Sequence, residues 1–267
     1  MLTAIDHFII LVNDLATATE TYRGFGFDVC AGGEHPAFGS HNALIALADG
    51  AYLELLAFRD PTLAQQTFWS AAVDKLRVGQ GFENYALLSN DIADDVRQIR
   101  ARGLECTDPL AGSRLRPDGQ RVEWRTAMIG ATRSAFLPFL IQDETPRELR
   151  IESAHEGLGS RLRVKQITVA VNDLELAKEK YRALLAIEPR HVQNIEGDVQ
   201  GYRFTTAWGK IILAHPERTN NAMSDQLEQR GEGLHAISTK SKTLSANSSF
   251  AKGGNSVTAP PRSINVA

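Results

Sequence analysis

Two stretches of this 267-residue chain carry the same order of residues, and that duplication restricts the fold to one built from repeated modules. Residues 5–27 read IDHFIILVNDLATATETYRGFGF and residues 164–187 read VKQITVAVNDLELAKEKYRALLAI. Each has an apolar strand pattern, Val-Asn-Asp, a leucine, a stretch with helical period and a Tyr-Arg pair. One constant offset aligns Val12 with Val171, Asp14 with Asp173, Tyr22 with Tyr181 and Arg23 with Arg182, and it sets His7 against Gln166. A third copy covers residues 84–104, with Asn90-Asp91-Ile92 in the same place. A weaker fourth begins GLHAISTKSKTL, with His235 where the first copy has His7.

Each unit reads as β-α-β-β-β. In the first, Ala4–Val12 is a strand, Asn13-Asp14 caps a helix, and Phe27–Ala31 is a second strand. The loop GGEHPAFGSHN follows, then Ala43–Leu47 and Tyr52–Phe58 on either side of an Asp49-Gly50 turn. The second unit closes with Val122–Met128, Gly130 and Ser134–Ile141, the third with Tyr202–Thr206 and Lys210–Ala214. A lone unit leaves sheet edges and an apolar face exposed, so the units should pair. The expected fold is α+β: tandem βαβββ modules paired into curved, partly open barrel-like sheets with helices outside. Residues 1–142 form the first domain, 143–162 a linker, and 163–267 a second, degenerate domain whose last module lacks the length for a final hairpin. A second subunit, as in a homodimer, could complete that open edge.

Composition narrows the function classes. The net charge of −3 and the lack of a long basic stripe argue against a nucleic-acid partner. The run Phe8–Val12 is too short to cross a bilayer, and the N-terminus lacks a signal-peptide pattern. Cys30 and Cys106 have neither disulfide-framework nor zinc-site spacing and read as buried thiols. A cytoplasmic enzyme or binding protein is the expectation.

The opening IDH…VNDL, the run GG-x-H-P…G-x-x-N-A-L, the strand YLELL, R-x-R-P-D-G…WR and LPFLI resemble the glyoxalase-like branch of the vicinal oxygen chelate superfamily. That resemblance implies a cleft between paired modules, in which first and last strands usually hold a divalent metal (Zn, Mn, Fe, Ni or Mg). It also implies a choice among lyase or isomerase chemistry, ring cleavage by a dioxygenase, and non-catalytic drug sequestration of the bleomycin-resistance kind. His7 and Glu54 fall on the metal-ligand positions of the first module. In the second module the corresponding positions carry Asn84, or Glu83 with a one-residue slip, and Pro138, which has no ligand atom. The set is therefore short of the usual three ligands.

Other residues extend the candidate site. Glu54 interrupts an apolar strand, and in the cleft it would suit proton transfer together with His7. His35, His41 and Asn42 sit on the glycine-rich loop at the cleft mouth. Arg114, Arg116 and Arg125, with Arg121, cluster around a Pro-Asp-Gly turn beside Trp124, and a forked pair of guanidinium groups suits a carboxylate or other oxyanion. The leading expectation is an enzyme of lyase or isomerase type acting on a small, oxygen-rich anionic metabolite. Catalysis would rest on Glu54 and His7, and binding on His35, Asn42, Arg114, Arg116, Trp124 and Arg125. Gln166 and an acid-free hairpin leave the second domain as scaffold or interface, with His235 its lone candidate.

Overall fold

The computed structural model describes residues 1–130, 136–193, 199–218, 221–239, 243–245 and 264–265. The first module comprises β1 (Leu2–Leu11), α1 (Leu15–Gly24), β2 (Cys30–His35), β3 (Ser40–Ala46) and β4 (Tyr52–Phe58). Two short helices, α2 (Pro61–Gln65) and α3 (Ser70–Val78), lead to the second: β5 (Gly81–Ser89), α4 (Ile92–Ala101), β6 (Leu110–Leu115), β7 (Arg121–Met128) and β8 (Phe139–Asp143). These eight strands close into a barrel in the order β1-β4-β3-β2-β6-β7-β8-β5. The seam between β2 and β6 rests on one pair, Glu34 opposite Leu115, so the first half is the curved, barrel-like sheet expected, with helices outside.

The repeated Asn-Asp sites act as helix caps. The side chains of Asp14 and Asp91 accept hydrogen bonds from the backbone N–H of Thr17 and Asp94, and Asp173 does the same for Leu176 in the third module. Strand alternation on β1 turns Ile9 and Leu11 into the barrel, where they pack with Leu56, Ala86, Phe139 and Ile141. Phe8 and Ile10 point outward into a second core.

A short helix α5 (Arg147–Arg150) precedes the second sheet. That sheet contains β9 (Val164–Ala170), β10 (Arg190–Gln193), β11 (Val199–Thr205), β12 (Lys210–Pro216), β13 (Gly233–Thr239), β14 (Thr243–Ser245) and β15 (Ile264–Asn265). Helices α6 (Leu174–Leu185) and α7 (Ala222–Gln229) belong to the same half. Its order is β10-β11-β12-β9-β13-β14-β15, and it is open. After β13 only two very short strands are described, so the fourth unit has no described final hairpin of the kind seen in the others. Most of its polar tail, residues 246–263, lies outside the described residues.

The two halves share one apolar core: Phe8, Tyr85 and Leu87 of the barrel pack in the same cluster as Ile167, Val169 and Tyr181. Within it the Tyr181 hydroxyl donates to the Phe136 carbonyl at 2.6 Å and lies 2.8 Å from the Tyr85 hydroxyl. No helix among the described residues is long and apolar enough to cross a membrane.

Candidate active site inside the barrel

The barrel encloses a cavity of about 1020 Å³. Most of its wall is apolar or aromatic, with Phe38, Phe68, Trp69, Leu110, Trp124 and Phe139 prominent. Against that wall stands a polar group made of His7, His35, Ser40, Asn42, Tyr52, Glu54, Arg114 and Arg150. The contrast is the usual design of a small-molecule site, apolar volume with a few convergent polar atoms.

His7 and Glu54 meet there. Adjacent β1 and β4 run parallel with Ile9 opposite Glu54, which brings the Glu54 carboxylate beside the imidazole two residues back. His7 Nε2 lies 3.4 Å from Glu54 Oε2, and both residues are buried. The other carboxylate oxygen, Oε1, accepts a 2.6 Å hydrogen bond from Asn42 Nδ2. The Asn42 Oδ1 atom is buried with no hydrogen-bond partner. It presses so closely on Gly32 that a Cβ there would sit 2.0 Å away. The His7 ring stacks on Tyr52 at 4.8 Å and meets the edge of Phe139 at 5.4 Å, so it is gripped on two sides.

Asp6 is the residue that sequence reading passed over. Consecutive strand residues point to opposite faces, yet Asp6 and His7 make a 2.5 Å contact between Asp6 Oδ1 and His7 Nδ1. The pairing of β1 with β5 steps from Ile5↔Leu87 to His7↔Ala86, so Asp6 is the extra residue of a bulge. It is fully buried behind the imidazole. Arg150 Nη1 and Nη2 donate to its two oxygens at 2.8 and 2.7 Å, and Arg147 Nη1 reaches Oδ2 at 2.5 Å. Burial by itself would raise the Asp6 pKa. The charge and hydrogen bonds of Arg150, with those of His7, outweigh it and hold the carboxyl well below the usual carboxylate range. Asp143 gives Arg150 a second carboxylate at 2.5 Å, and the Tyr52 hydroxyl accepts from it at 2.7 Å. Both arginines come from α5, in the stretch read as a plain linker.

Several expected site residues lie elsewhere in the fold. His35 and Asn42 are on strands β2 and β3 rather than on a loop, because β2 runs on to His35 and only the single turn Pro36–Phe38 separates the two strands. Both line the cavity. His35 contacts the Ser40 hydroxyl at 3.2 Å, and burial lowers its pKa, which favours the neutral ring. His41 does not line the cavity.

Arg114 and Trp124 also face inward, but Arg116 and Arg125 do not. Arg116 binds Asp118 and the Leu149 carbonyl, and Arg125 pairs with Glu144 at 2.8 Å, more than half exposed. Alternation on β7 sets Arg125 on the face opposite Trp124, whereas Arg116, of the same parity as Arg114, lies past the end of β6 at the turn and is drawn to Asp118 and Leu149 there. Burial lowers the Arg114 pKa, opposed by Tyr52 and Glu54, and its Nη2 donates to the Arg150 carbonyl at 2.5 Å.

The metal-ligand positions of the second module also differ from expectation. In the β5–β8 pairing Ala86 is opposite Phe139, just as Ile9 is opposite Glu54 in β1–β4. Phe139, not Pro138, is therefore the counterpart of Glu54. Asn84 is buried but absent from the cavity wall, and its Oδ1 accepts from the Tyr85 N–H. Glu83 pairs with Lys75 at 3.1 Å. The described residues contain no group of three His, Cys, Asp or Glu able to hold a metal ion. With an aromatic ring at the third position, the residues present do not fit the metal centre that the resemblance implies.

The remaining expectations concern the thiols and the second half. Cys30 is exposed and Cys106 half-buried, so neither is a fully buried core thiol. His235 is buried with Nδ1 2.7 Å from Gln226 Oε1, and desolvation drops its pKa to about 4. It is a neutral core histidine.

Comparison with known proteins agrees with this architecture. A hypothetical protein from Staphylococcus aureus superposes with a TM-score of 0.68 at 15% identity, covering 92% of each chain. A mutant of 4-hydroxymandelate synthase from Streptomyces coelicolor gives 0.54 at 16% identity, covering 92% of this chain and 72% of that one. A methylmalonyl-CoA epimerase from Streptomyces coelicolor matches 54% of this chain and all of its own at 24% identity, with a TM-score of 0.42. No curated protein matches. The family model for the glyoxalase-like domain matches residues 5–185, which spans all but the first three residues of the barrel, together with β9 and α6. The chain belongs to the glyoxalase-like domain family.

Proposed function

We propose that the barrel is the active site of a proton-transferring isomerase or lyase, whose substrate is an amphipathic acid or acid derivative with an oxygenated head and an apolar or aromatic body. The observation that carries this reading is the Glu54–His7 pair, buried at the polar group of an otherwise apolar cavity. A base positioned in such a site removes a proton from carbon next to a carbonyl. The C–H bond breaks, its proton goes to the Glu54 carboxylate, and the electron pair enters an enolate. The Arg114 guanidinium beside the site supplies positive charge for that oxygen. Returning the proton to carbon gives an isomer, and expelling a group from the next carbon gives an alkene. The cavity volume and aromatic wall favour a substrate larger than the small metabolite expected from sequence. No step here passes through a metal, because the donor set supplies only two of its ligands.

The test is deuterium incorporation from D₂O, followed by NMR, across a panel of aryl and alkyl 2-substituted acids and thioesters in the presence of a chelator. Exchange with at least one member supports the reading, and exchange abolished by chelator overturns it. The aromatic wall favours a second reading, a sequestering protein. Stoichiometric binding with no exchange by any member of the panel would establish it.

A further inference from the structure

The geometry points to Asp6 as a positioning residue that, clamped by Arg150 and Arg147 of α5, fixes the His7 proton on Nδ1 and leaves Nε2 as the basic atom facing Glu54. The inference rests on the reading of His7 as part of the proton-handling pair, but its test does not depend on turnover.

Hydrogen-bond capacity carries the argument. An ionised carboxylate only accepts, and has about four acceptor positions. Asp6 has four contacts on them: His7 Nδ1 and Arg150 Nη1 on Oδ1, Arg150 Nη2 and Arg147 Nη1 on Oδ2. Three of those partners are guanidinium donors that cannot reverse. With the carboxylate ionised, the 2.5 Å contact to His7 requires Nδ1 to be the donor. The lone pair of the neutral ring is then on Nε2, the nitrogen that faces Glu54, where it can accept from the Glu54 carboxyl once that group has taken the substrate proton.

The surroundings make that arrangement durable. Asp6 and Asp143 offset Arg147 and Arg150, so the buried cluster is neutral as a whole. A closed set of hydrogen bonds of this kind is what allows charges to be held away from water. Arg150 is anchored by Tyr52 on β4 and Asp143 on β8, and its own carbonyl accepts from Arg114. The charged and titratable groups around the pair are therefore Tyr52 and Glu54 of β4, His35 of β2, Arg114 of β6, Asp143 of β8 and the two arginines of α5. The stretch between the two sheets thus orients the imidazole and, through Arg150, fixes the cavity's remaining guanidinium. The bulge at Asp6 exists in the fold at the one place where it brings a carboxylate behind His7.

The experiment is ¹⁵N NMR of histidine-labelled protein at a pH where the imidazole is neutral, correlating ring carbons with ring nitrogens. Wild type should show His7 with a protonated Nδ1 and a pyridine-type Nε2. In Asp6→Asn the arginines claim the amide oxygen, so the amide NH₂ turns to His7 and the tautomer should invert. Arg150→Lys keeps the charge but loses the fork, and should show a mixture of tautomers. A protonated Nε2 in the wild type overturns the proposal, even if neither variant folds. So does a tautomer population unchanged in Asp6→Asn. If exchange activity is found, Asp6→Asn should lower its rate with little change in KM, because the inverted ring would present an N–H instead of a lone pair to Glu54. Loss of that activity in the hands of a chelator would remove the proposed function while leaving the tautomer result standing.

Discussion

Gly112→Ala should move one wall of the cavity without touching the proton-handling pair. Gly112 is directly opposite Trp124 in the β6–β7 pairing. A Cβ on Gly112 would lie 2.4 Å from Trp124 Nε1 and 2.9 Å from Cε2. Comfortable contact is about 3.5 Å, so the indole has to retreat by roughly 1 Å, and β6 blocks it on the side it leaves. The ring lines the cavity and meets the edge of His35 at 6.2 Å, so its shift narrows the space and disturbs that contact. Overpacking of this kind costs about 1–3 kcal/mol, and at about 2–4 °C per kcal/mol the melting temperature should fall by several degrees. Binding should weaken by about tenfold, equivalent to about 1.4 kcal/mol. The probe is 8-anilinonaphthalene-1-sulfonate, an aromatic anion suited to an apolar cavity with a buried guanidinium, titrated by fluorescence alongside thermal melts. Gly24→Ala is the control, because a Cβ there meets nothing within 4 Å. Unchanged probe affinity and unchanged indole fluorescence in Gly112→Ala would refute the placement of Trp124 in the wall.

Three further outcomes follow from the same structure. Arg114→Ala should weaken the same probe severalfold, while Arg125→Ala, whose side chain pairs with Glu144 outside the cavity, should leave its affinity within twofold in the same titration. His235 has a folded pKa of about 4 against an unfolded value near 6.5, so the unfolded chain binds more protons between them. Stability should be fully present above pH 6.5 and fall by about 3 kcal/mol as pH drops to 4. His235→Gln should flatten that part of the profile in denaturant titrations at stepped pH. Tyr181→Phe strips the Phe136 carbonyl and the Tyr85 hydroxyl of their buried partner and should cost about 1–3 kcal/mol by the same titrations, with Tyr85→Phe costing less because the carbonyl keeps its donor.

What the sequence disclosed, and what it hid, divides along physical lines. The Asn-Asp caps and the strand-helix order are local, so the repeat displayed them directly. Glu54 was legible because it interrupts an apolar strand at a motif position, His7 because of the motif alone, and Arg114 and Trp124 because the Pro-Asp-Gly turn and the motif placed them together. Asp6 was hidden by a bulge, since alternation assigns it to the opposite face from His7. Arg150 was hidden by distance: its partner Asp6 is 144 residues away, and nothing in a short polar segment announces such a contact. The counterpart of Glu54 was missed by one residue, as Phe139 rather than Pro138, because inter-strand register is a property of pairing and not of the strand alone. Arg125 illustrates the converse error, in which closeness in sequence stood in for a shared face, and Arg116 shows that equal parity fails once the strand has ended.

The central claim is that Glu54 handles the proton within a cavity whose other residues bind the substrate. Its most direct measurement is the deuterium-exchange rate of Glu54→Gln beside wild type, on any acid that the wild type exchanges, with probe affinity measured in parallel. The amide keeps the shape of the carboxylate and can still bond Asn42, so the cavity should stand and the probe should bind within about threefold. The account predicts a rate lower by about 10²–10⁴-fold. A rate within a few-fold of wild type, in a variant that still binds the probe, would contradict it.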